Sequence, residues 1–205
     1  MGAGPRVVVL DYGSGNLRSA QRALERAGAR VTVTGDLALA RAADGLVVPG
    51  VGAYAACMAG IDDIGAGPVI VDRIRDGRPV LGICVGMQIL FSAGEEFGVV
   101  TKGIGVLPGA VTRLTAPIVP HMGWNTVTWP DSTRLGAGIA PGTRFYFVHS
   151  YAGPAVIDGA AVGTTVHGGV FAATVEYGPL WATQFHPEKS GDAGAVLLAN
   201  WVGGL

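Results

Sequence analysis

A single cysteine stands between two glycines in Gly82-Ile83-Cys84-Val85-Gly86, which follows the apolar run 79–81 and precedes the helix-like segment 87–91. This pattern is typical of a nucleophile elbow, a sharp strand-to-helix turn that projects one reactive side chain. The glycines fit because larger neighbouring side chains would collide at such a turn. A helix N-terminus beside the sulfur favours the thiolate, which is the nucleophilic form. Cys84 is therefore the first candidate for chemistry, at the end of a buried strand.

Before this elbow, short β-branched runs alternate with amphipathic stretches. The predicted strands are 6–10, 31–34 and 46–48, and the predicted helices are 17–27, 37–42 and 68–76. Asn16 is placed to cap the first helix, and Gly28 is placed to end it. Such alternation predicts an α/β fold in which parallel strands are joined by crossover helices.

After the elbow, the apolar runs are punctuated by glycine and proline, which favours short antiparallel strands. The predicted strands are 103–107, 111–114, 125–129, 145–148, 162–166, 170–175 and 180–184, followed by a closing helix at 193–201. His167-Gly168-Gly169 has the composition of a hairpin turn. Neither a repeat nor a long linker interrupts the 205 residues, so we expect one domain spanning 1–205.

Composition narrows the class of ligand. The chain is 49% hydrophobic and 14% charged with a formal net charge of -1, so neither nucleic acid nor an anionic membrane is expected as a partner. Its two cysteines, Cys57 and Cys84, have no CxxC spacing for zinc or a redox couple, which favours a reducing cytoplasm. The first apolar run is too short for a signal-peptide core, and we expect no targeting segment. A small molecule is the expected ligand.

A thiolate needs a base that a third group holds in the correct orientation. His186 and Glu188 lie two residues apart around Pro187, where a predicted strand ends. Residues two apart in extended backbone point the same way, so the two side chains share one side of the chain. Cys84, His186 and Glu188 are therefore the candidate catalytic residues.

An acyl-transfer site also needs N–H groups that stabilise an oxyanion. The turn Pro49-Gly50-Val51-Gly52, here called the oxyanion turn, follows the third strand, and its glycines allow backbone N–H groups to face a carbonyl oxygen. The N–H of Val85, directly after the nucleophile, is the second expected donor. The other glycine-rich loop, 11–16, lacks the third glycine of GxGxxG and the lysine of a Walker loop, which argues against a nucleotide site.

Each of these features also has an ordinary explanation. A cysteine between glycines is commonly a small buried apolar residue, and Cys57 is expected to serve only in packing. His121, His149 and His167 have no metal-ligand spacing. The occurrence of the candidates together at strand ends of one α/β fold favours an active site, because ligands collect there.

The segments 82–88 and Phe185-His186-Pro187-Glu188 resemble the class I, or triad, glutamine amidotransferases, and the likeness extends over nearly the whole chain. Four further segments are similar to the glutaminase subunits of imidazole glycerol phosphate synthases: 11–16, 49–52, 120–125 and 146–151. The resemblance implies a flavodoxin-like three-layer fold, with a mostly parallel sheet between helices and an added antiparallel β region.

The resemblance also implies glutamine hydrolysis through a thioester on Cys84, with His186 transferring protons and Glu188 orienting His186. It implies an oxyanion and substrate-binding set of Gly50, Val51, Gly52, Val85, Gln88, His149, Ser150 and Tyr151. Neither a cofactor nor a metal is implied.

The implied partner is a (β/α)8 cyclase subunit, in a heterodimer, that uses the ammonia to make imidazole glycerol phosphate and AICAR in histidine biosynthesis. The implied interface and signalling residues are Asn16, Met122, Trp124, Asn125, Tyr146 and Lys189. Independently, a glutaminase fold consumes the whole chain, which leaves no domain for a phosphorylated acceptor. Coupling to a separate acceptor site needs an element with two states, and we expect it in the oxyanion turn.

Three alternatives stay open at this point. The chain is a triad glutaminase of a different synthase, a non-catalytic interaction protein with the same fold, or a cysteine hydrolase or peptidase with the same elbow. Gln88 and the oxyanion turn argue against the last. Segments 1–5 and 132–143 carry no family motif, and we assign them no role.

Overall fold

A computed structural model describes residues 4–205; residues 1–3, the start of the N-terminal segment without a motif, lie outside this range. The strands are β1 (Arg6–Leu10), β2 (Arg30–Thr34), β3 (Gly45–Gly50), β4 (Val80–Cys84), β5 (Phe91–Glu96), β6 (Val99–Lys102), β7 (Leu107–Arg113), β8 (His121–Thr126), β9 (Arg144–His149), β10 (Tyr151–Ala152), β11 (Ala161–His167), β12 (Gly169–Tyr177) and β13 (Leu180–Thr183). The helices are α1 (Leu17–Arg26), α2 (Leu37–Ala42), α3 (Tyr54–Asp63), α4 (Ala66–Arg75), α5 (Val85–Gln88) and α6 (Gly191–Val202).

The central sheet contains five parallel strands in the order β2-β1-β3-β4-β13, and β12 and β11 extend it in antiparallel fashion. The parallel part has the doubly wound order 2-1-3-4-5, which confirms the expected flavodoxin-like arrangement. Helices α1 and α6 contact each other, and α4 contacts α2 and α3. The carboxyl ends of β1, β3, β4 and β13 meet at one edge of the sheet, where ligands of such folds bind.

The inner strands are buried along their whole length. Every residue of β3 and β4 is buried, whereas the edge strand β2 has none. Strands covered by helices on both faces need continuous apolar runs rather than alternation. The short β-branched runs of the N-terminal half therefore predicted these strands well.

The predictions for the two ends of α1 had different outcomes. Gly28 has φ +98°, its N–H donates to the Glu25 carbonyl at 3.0 Å, and the Ala29 N–H donates to the Leu24 carbonyl at 3.1 Å. This is a Schellman ending, so the prediction for Gly28 is confirmed. Asn16 precedes α1 but its side chain makes no capping hydrogen bond, because its backbone (φ -86°, ψ 63°) is not in the extended conformation that capping needs.

The antiparallel region departs further from expectation. β5, β6, β7 and β10 form a four-stranded sheet in which β5 and β7 run parallel, and β8 pairs with β9 in a separate β8–β9 ribbon. The predicted strand 103–107 is mostly a loop, since Gly103 packs tightly on β5 and Gly105 has φ +78°. The predicted strand 125–129 lies earlier, at His121–Thr126. Helix α3 and strands β5 and β6 were not predicted.

Helices α3 and α4 form a pair bent by 90°. Within residues 4–205 no single helix is long and apolar enough to cross a membrane; only this bent pair satisfies length and composition jointly. Both helices bury side chains in the core, among them Cys57, Ile61 and Ile70.

Arg73 on α4 is a buried anchor for the start of the sheet. Its guanidinium donates to the carbonyls of Ala40, Arg41, Ala43, Asp44 and Pro79 at 2.9 to 3.2 Å. Burial lowers its pKa to about 10, and the neighbouring Arg78 acts in the same direction. The bonds tie the segments before β3 and β4 together.

The loop 132–143 is fixed against the sheet and α6. The Glu176 carboxylate accepts hydrogen bonds from Thr133 Oγ1 at 2.6 Å and from the backbone N–H of Leu135 at 3.2 Å. Asn200 on α6 donates to the Leu135 carbonyl at 3.0 Å. The loop is thus an anchored part of the structure, although its sequence carries no motif.

Candidate active site

Cys84 ends β4 at the elbow that the sequence predicted. Its backbone has φ +56° and ψ -115°, a conformation that is strained for a residue with a side chain and typical of nucleophile elbows. A Cβ on Gly86 would collide with the Val48 carbonyl, and one on Gly82 would lie 2.9 Å from the Leu90 side chain. The steric reason for both glycines is confirmed. The following helix, α5, has only four residues, because Phe91 already belongs to β5.

A cavity of about 440 Å³ opens at the carboxyl ends of the strands. It brings together Val51, Gly52, Cys84, Val85, Gln88, His149, Ser150, Tyr151, His186 and Lys189, all singled out from the sequence. Gly50 lies beneath the cavity, and a Cβ there would approach the Gly86 nitrogen to 2.5 Å. Gly50 therefore permits close packing of the oxyanion turn on the elbow and does not line the cavity.

His186 and Glu188 form a buried pair next to Cys84. Nδ1 of His186 lies 2.7 Å from Oε1 of Glu188, and both side chains are 2% exposed. Burial lowers the pKa of His186, but the neighbouring Cys84 and the hydrogen-bonded Glu188 outweigh burial and raise the pKa to about 9. Because Nδ1 donates to Glu188, Nε2 is the nitrogen left for the sulfur and substrate. The arrangement suits proton transfer at Cys84.

The backbone around His186 is held by Tyr146 on β9, a support that the sequence did not reveal. The His186 N–H donates to the Tyr146 carbonyl at 3.0 Å, and the Tyr146 N–H donates to Ser190 Oγ at 3.0 Å. Ser190 Oγ in turn donates to the His186 carbonyl at 2.7 Å. The β8–β9 ribbon thereby fixes the position of His186.

The oxyanion turn has one N–H directed away from the cavity. The Val51 N–H donates to Ser14 Oγ at 3.2 Å, and this hydroxyl donates back to the Val51 carbonyl at 2.9 Å. The Cys57 thiol also donates to that carbonyl at 3.4 Å. In this conformation Val51 does not present its N–H as the expected oxyanion donor, because Ser14 occupies it. The two hydrogen bonds between Ser14 and Val51 are here called the Ser14–Val51 lock. Cys57, which we expected to serve only in packing, also contacts it.

Gln88 lines the cavity, and the fully buried Gln184 lies behind it. Gln88 Nε2 donates to the Tyr151 carbonyl at 2.8 Å and to Gln184 Oε1 at 3.0 Å. Gln184 Nε2 donates to the Cys84 sulfur at 3.9 Å. Gln88 thus keeps its carbonyl oxygen for a substrate. Gln184 was missed, although it precedes His186 by the same two-residue spacing that pointed to Glu188.

Two further cavity residues, Glu96 and Phe97, lie at the end of β5. Glu96 Oε2 accepts the Tyr54 N–H at 2.8 Å, which orients the carboxylate at the cavity wall. The sequence offered no signal for either residue, because β5 itself was not predicted. They add a negative charge and an aromatic ring to the site.

The outer face of the β8–β9 ribbon carries exposed apolar side chains beside the cavity. Met122 is 67% and Trp124 54% exposed, and Trp124 packs against Tyr146 with ring centroids 5.9 Å apart. Val148, which pairs with Met122, lines the cavity. Asn125 was expected at the same surface, but its side chain bonds to His121 in the interior, since alternate strand residues point to opposite faces.

Comparison with known proteins agrees with this geometry. The family model described as "Glutamine amidotransferase class-I" matches residues 8–203. The imidazole glycerol phosphate synthase subunit HisH of Mycolicibacterium paratuberculosis is 63% identical over 96% of this chain and 96% of its own, and that of Thermobifida fusca is 59% identical over 98% and 99%. The structure of PurLQS from Thermotoga maritima superposes with a TM-score of 0.74 at 20% identity, covering 98% of each chain, which shows the shared fold.

The chain belongs to the class I glutamine amidotransferases. Within that class it is a member of the HisH family of imidazole glycerol phosphate synthase subunits, as its full-length identity of about 60% to those proteins shows. The resemblance found in the sequence is therefore confirmed at the level of the family.

Proposed function

We propose that this chain is the glutaminase subunit of an imidazole glycerol phosphate synthase and that Cys84 is its nucleophile. The observation that carries the proposal is the convergence of Cys84 and the His186–Glu188 pair on one cavity, in a chain of the HisH family. Membership in this family argues against the open alternatives of a non-catalytic protein and a peptidase.

The reaction follows from the geometry of the site. The Cys84 thiolate attacks the side-chain amide carbon of glutamine, and His186 gives its proton to the departing nitrogen, so that ammonia leaves and a thioester remains. His186 then takes a proton from water, the hydroxide attacks the thioester, and glutamate is released with the cysteine restored. The balance is glutamine and water to glutamate and ammonia. Glu188 stabilises the imidazolium at each step.

Charge and hydrogen-bonding capacity fit glutamine. The Glu96 carboxylate at the cavity wall suits the α-ammonium group, and the free Gln88 carbonyl oxygen suits an N–H donor of the substrate. Val85 supplies the first N–H of α5, which its position leaves without an intrahelical partner and which follows the nucleophile. His149, Ser150 and Tyr151 close the opposite side.

The ammonia is passed to a separate cyclase subunit in a heterodimer. The exposed Met122 and Trp124, with the half-buried Tyr146 that packs on Trp124, form an apolar surface on the β8–β9 ribbon next to the cavity, as expected for a docking face. Lys189 lines the cavity mouth and Asn16 lies at the same edge of the sheet, which suits both to signalling. Cys57 and Cys84 are both free thiols, in keeping with a cytoplasmic location.

Docking controls glutamine hydrolysis through the oxyanion turn. Val51 is held by Ser14 with its N–H away from the substrate, so the resting turn lacks one donor. Gly50 and Gly52 stand on either side of Val51, and these glycines allow the peptide groups next to Val51 to rotate. A partner that favours the rotated turn raises the rate by shifting a population.

The test uses Cys84→Ala in the complex with the cyclase subunit. We expect glutamine-dependent synthesis of imidazole glycerol phosphate to be lost while synthesis from added ammonia continues. A glutamine-analogue label should attach to the wild-type chain and not to the variant. Loss of both activities in an intact complex would contradict the division of labour, and a wild-type glutaminase rate unchanged by cyclase and its ribotide would favour another synthase.

A further inference from the structure

Two buried histidines lie on the inner face of the β8–β9 ribbon, and one of them, His149, lines the cavity. His121 on β8 and His149 on β9 are direct cross-strand partners, and Nδ1 of His121 lies 3.1 Å from Nε2 of His149. The His121 ring packs against Phe147 with centroids 4.8 Å apart, and His149 against Phe171 at 5.1 Å. Within residues 4–205 no group of three or more His, Cys, Asp or Glu side chains is placed to hold a metal ion, so the pair needs another explanation.

Each histidine can carry its proton on one nitrogen only. The Tyr151 carbonyl lies 2.9 Å from His149 Nδ1 and accepts, so this nitrogen bears the proton. Burial lowers the pKa of His149 to about 3 and that of His121 to about 4, which keeps both rings neutral. Nε2 of His149 is then an acceptor, and the proton between the rings belongs to His121 Nδ1.

The same logic extends to the far end of the pair. Nε2 of His121 lacks a proton and accepts from Asn125 Nδ2 at 3.2 Å. The orientation of the Asn125 amide is fixed independently, because Nδ2 also donates to the Val166 carbonyl at 3.1 Å and Oδ1 accepts the Thr126 N–H at 2.8 Å. Every hydrogen bond from Asn125 to Tyr151 therefore has a single direction.

The chain continues to the nucleophile. The Tyr151 carbonyl that accepts from His149 also accepts from Gln88 at 2.8 Å. Gln88 donates to Gln184, whose amide reaches the Cys84 sulfur at 3.9 Å. The inner face of the ribbon is thus connected to the residues that hold glutamine, while its outer face carries Trp124 and Met122.

We propose that His121 and His149 are positioning residues, whose fixed tautomers hold the Tyr151 carbonyl and Gln88 in place for glutamine and transmit the position of the β8–β9 ribbon to the cavity. The proposal rests on the proposed function for its substrate and partner. A purely structural pair would serve equally well as two aromatic rings. A positioning pair needs the His121 Nδ1–H donor.

The experiment compares three variants in the complex with the cyclase subunit. His121→Phe keeps a ring of similar size but removes the donor, and His121→Asn returns an amide N–H close to the position of Nδ1. His167→Gln is the matched control, because His167 stacks on His121 at 4.4 Å and bonds to the Ile118 carbonyl but lies outside the chain of bonds. The measurements are KM for glutamine, kcat, and the stimulation of glutaminase by the cyclase ligand.

We expect His121→Phe to raise KM for glutamine about tenfold and to reduce stimulation, and His121→Asn to restore both to within about threefold. His167→Gln should behave as wild type. A KM for His121→Phe within about twofold of wild type, or an Asn variant no better than Phe, would overturn the proposal.

A second measurement does not depend on activity or on folding of the variants. Nitrogen NMR of the wild-type imidazoles should show the Nδ1–H tautomer for both His121 and His149. An Nε2–H tautomer at either ring overturns the proposal, whatever the kinetics show. Failure of the proposed function has a different signature, namely glutamine turnover that survives Cys84→Ala.

Discussion

Replacing Ser14 by Ala should release the oxyanion turn in the isolated chain. The hydroxyl makes two hydrogen bonds to one residue, accepting the Val51 N–H at 3.2 Å and donating to its carbonyl at 2.9 Å. A partly exposed hydrogen bond contributes roughly 0.5–1.5 kcal/mol net, so losing both costs the resting turn about 1.4 kcal/mol, which is a tenfold change in population. We therefore expect basal glutaminase activity to rise about tenfold.

The assay measures glutamate release by the isolated chain and by the complex with cyclase and its ligand. The fully stimulated rate should change little, because the proposed mechanism has the partner already favouring the rotated turn, so we expect the stimulation ratio to fall about tenfold. Ser14→Thr keeps the hydroxyl and should retain most of the wild-type ratio. If the basal rate of the Ser14→Ala chain stays within about twofold of wild type, Ser14 does not hold the oxyanion turn in its resting conformation.

Two other perturbations follow from buried charges. The His186 pKa, raised from 6.5 to about 9, means that the imidazolium persists at neutral pH and is lost as pH rises through that value. Glu188→Gln should lower the pKa of His186 and move the alkaline limb of kcat/KM down by about one pH unit. The rate should fall about 100-fold. An alkaline limb that does not move in the pH–rate profile would contradict the role of Glu188 in stabilising the imidazolium. Arg73→Met should lower the free energy of unfolding by about 3 kcal/mol in a urea titration, because it removes five hydrogen bonds and takes the guanidinium donor from the buried Ala40 carbonyl. Its kcat/KM should match wild type, and an unchanged urea midpoint would show that the anchor is dispensable.

The parallel sheet could be predicted from sequence because its signals are local. Runs such as Val7-Val8-Val9-Leu10 are long enough to indicate strands. Gly28 marks the end of α1 because glycine readily adopts the positive φ that this position has. The region after the elbow is harder, because its strands are short and pair with distant partners. β5 starts at Phe91, inside an apolar run that also suits a helix, and only its pairing with β6 and β7 decides between them.

The residues of the candidate site also fall into two groups, those with a local sequence signal and those placed only by distant parts of the chain. Cys84, His186 and Glu188 stand in compact motifs, and the two-residue spacing brings the last two together as expected. Ser14 could not be linked to Val51 from sequence, because the two loops meet only where β1 and β3 are neighbours in the sheet. Glu96 could not be placed at the cavity from the sequence, because its strand, β5, was not predicted. Residues brought together by tertiary pairing carry no local signal.

The alternation along β9 limits how this protein can vary in length. Within Arg144–His149, Phe145, Phe147 and His149 are buried while Tyr146 and Val148 face outward, and the Tyr146 carbonyl also holds the backbone of His186. Deleting or inserting one residue there would exchange the two faces. A single such event would displace the proposed docking surface, the hydrogen-bonded interior and His186 together. Gains and losses of residues during the divergence of the family should therefore collect in loops such as 132–143 and spare this strand.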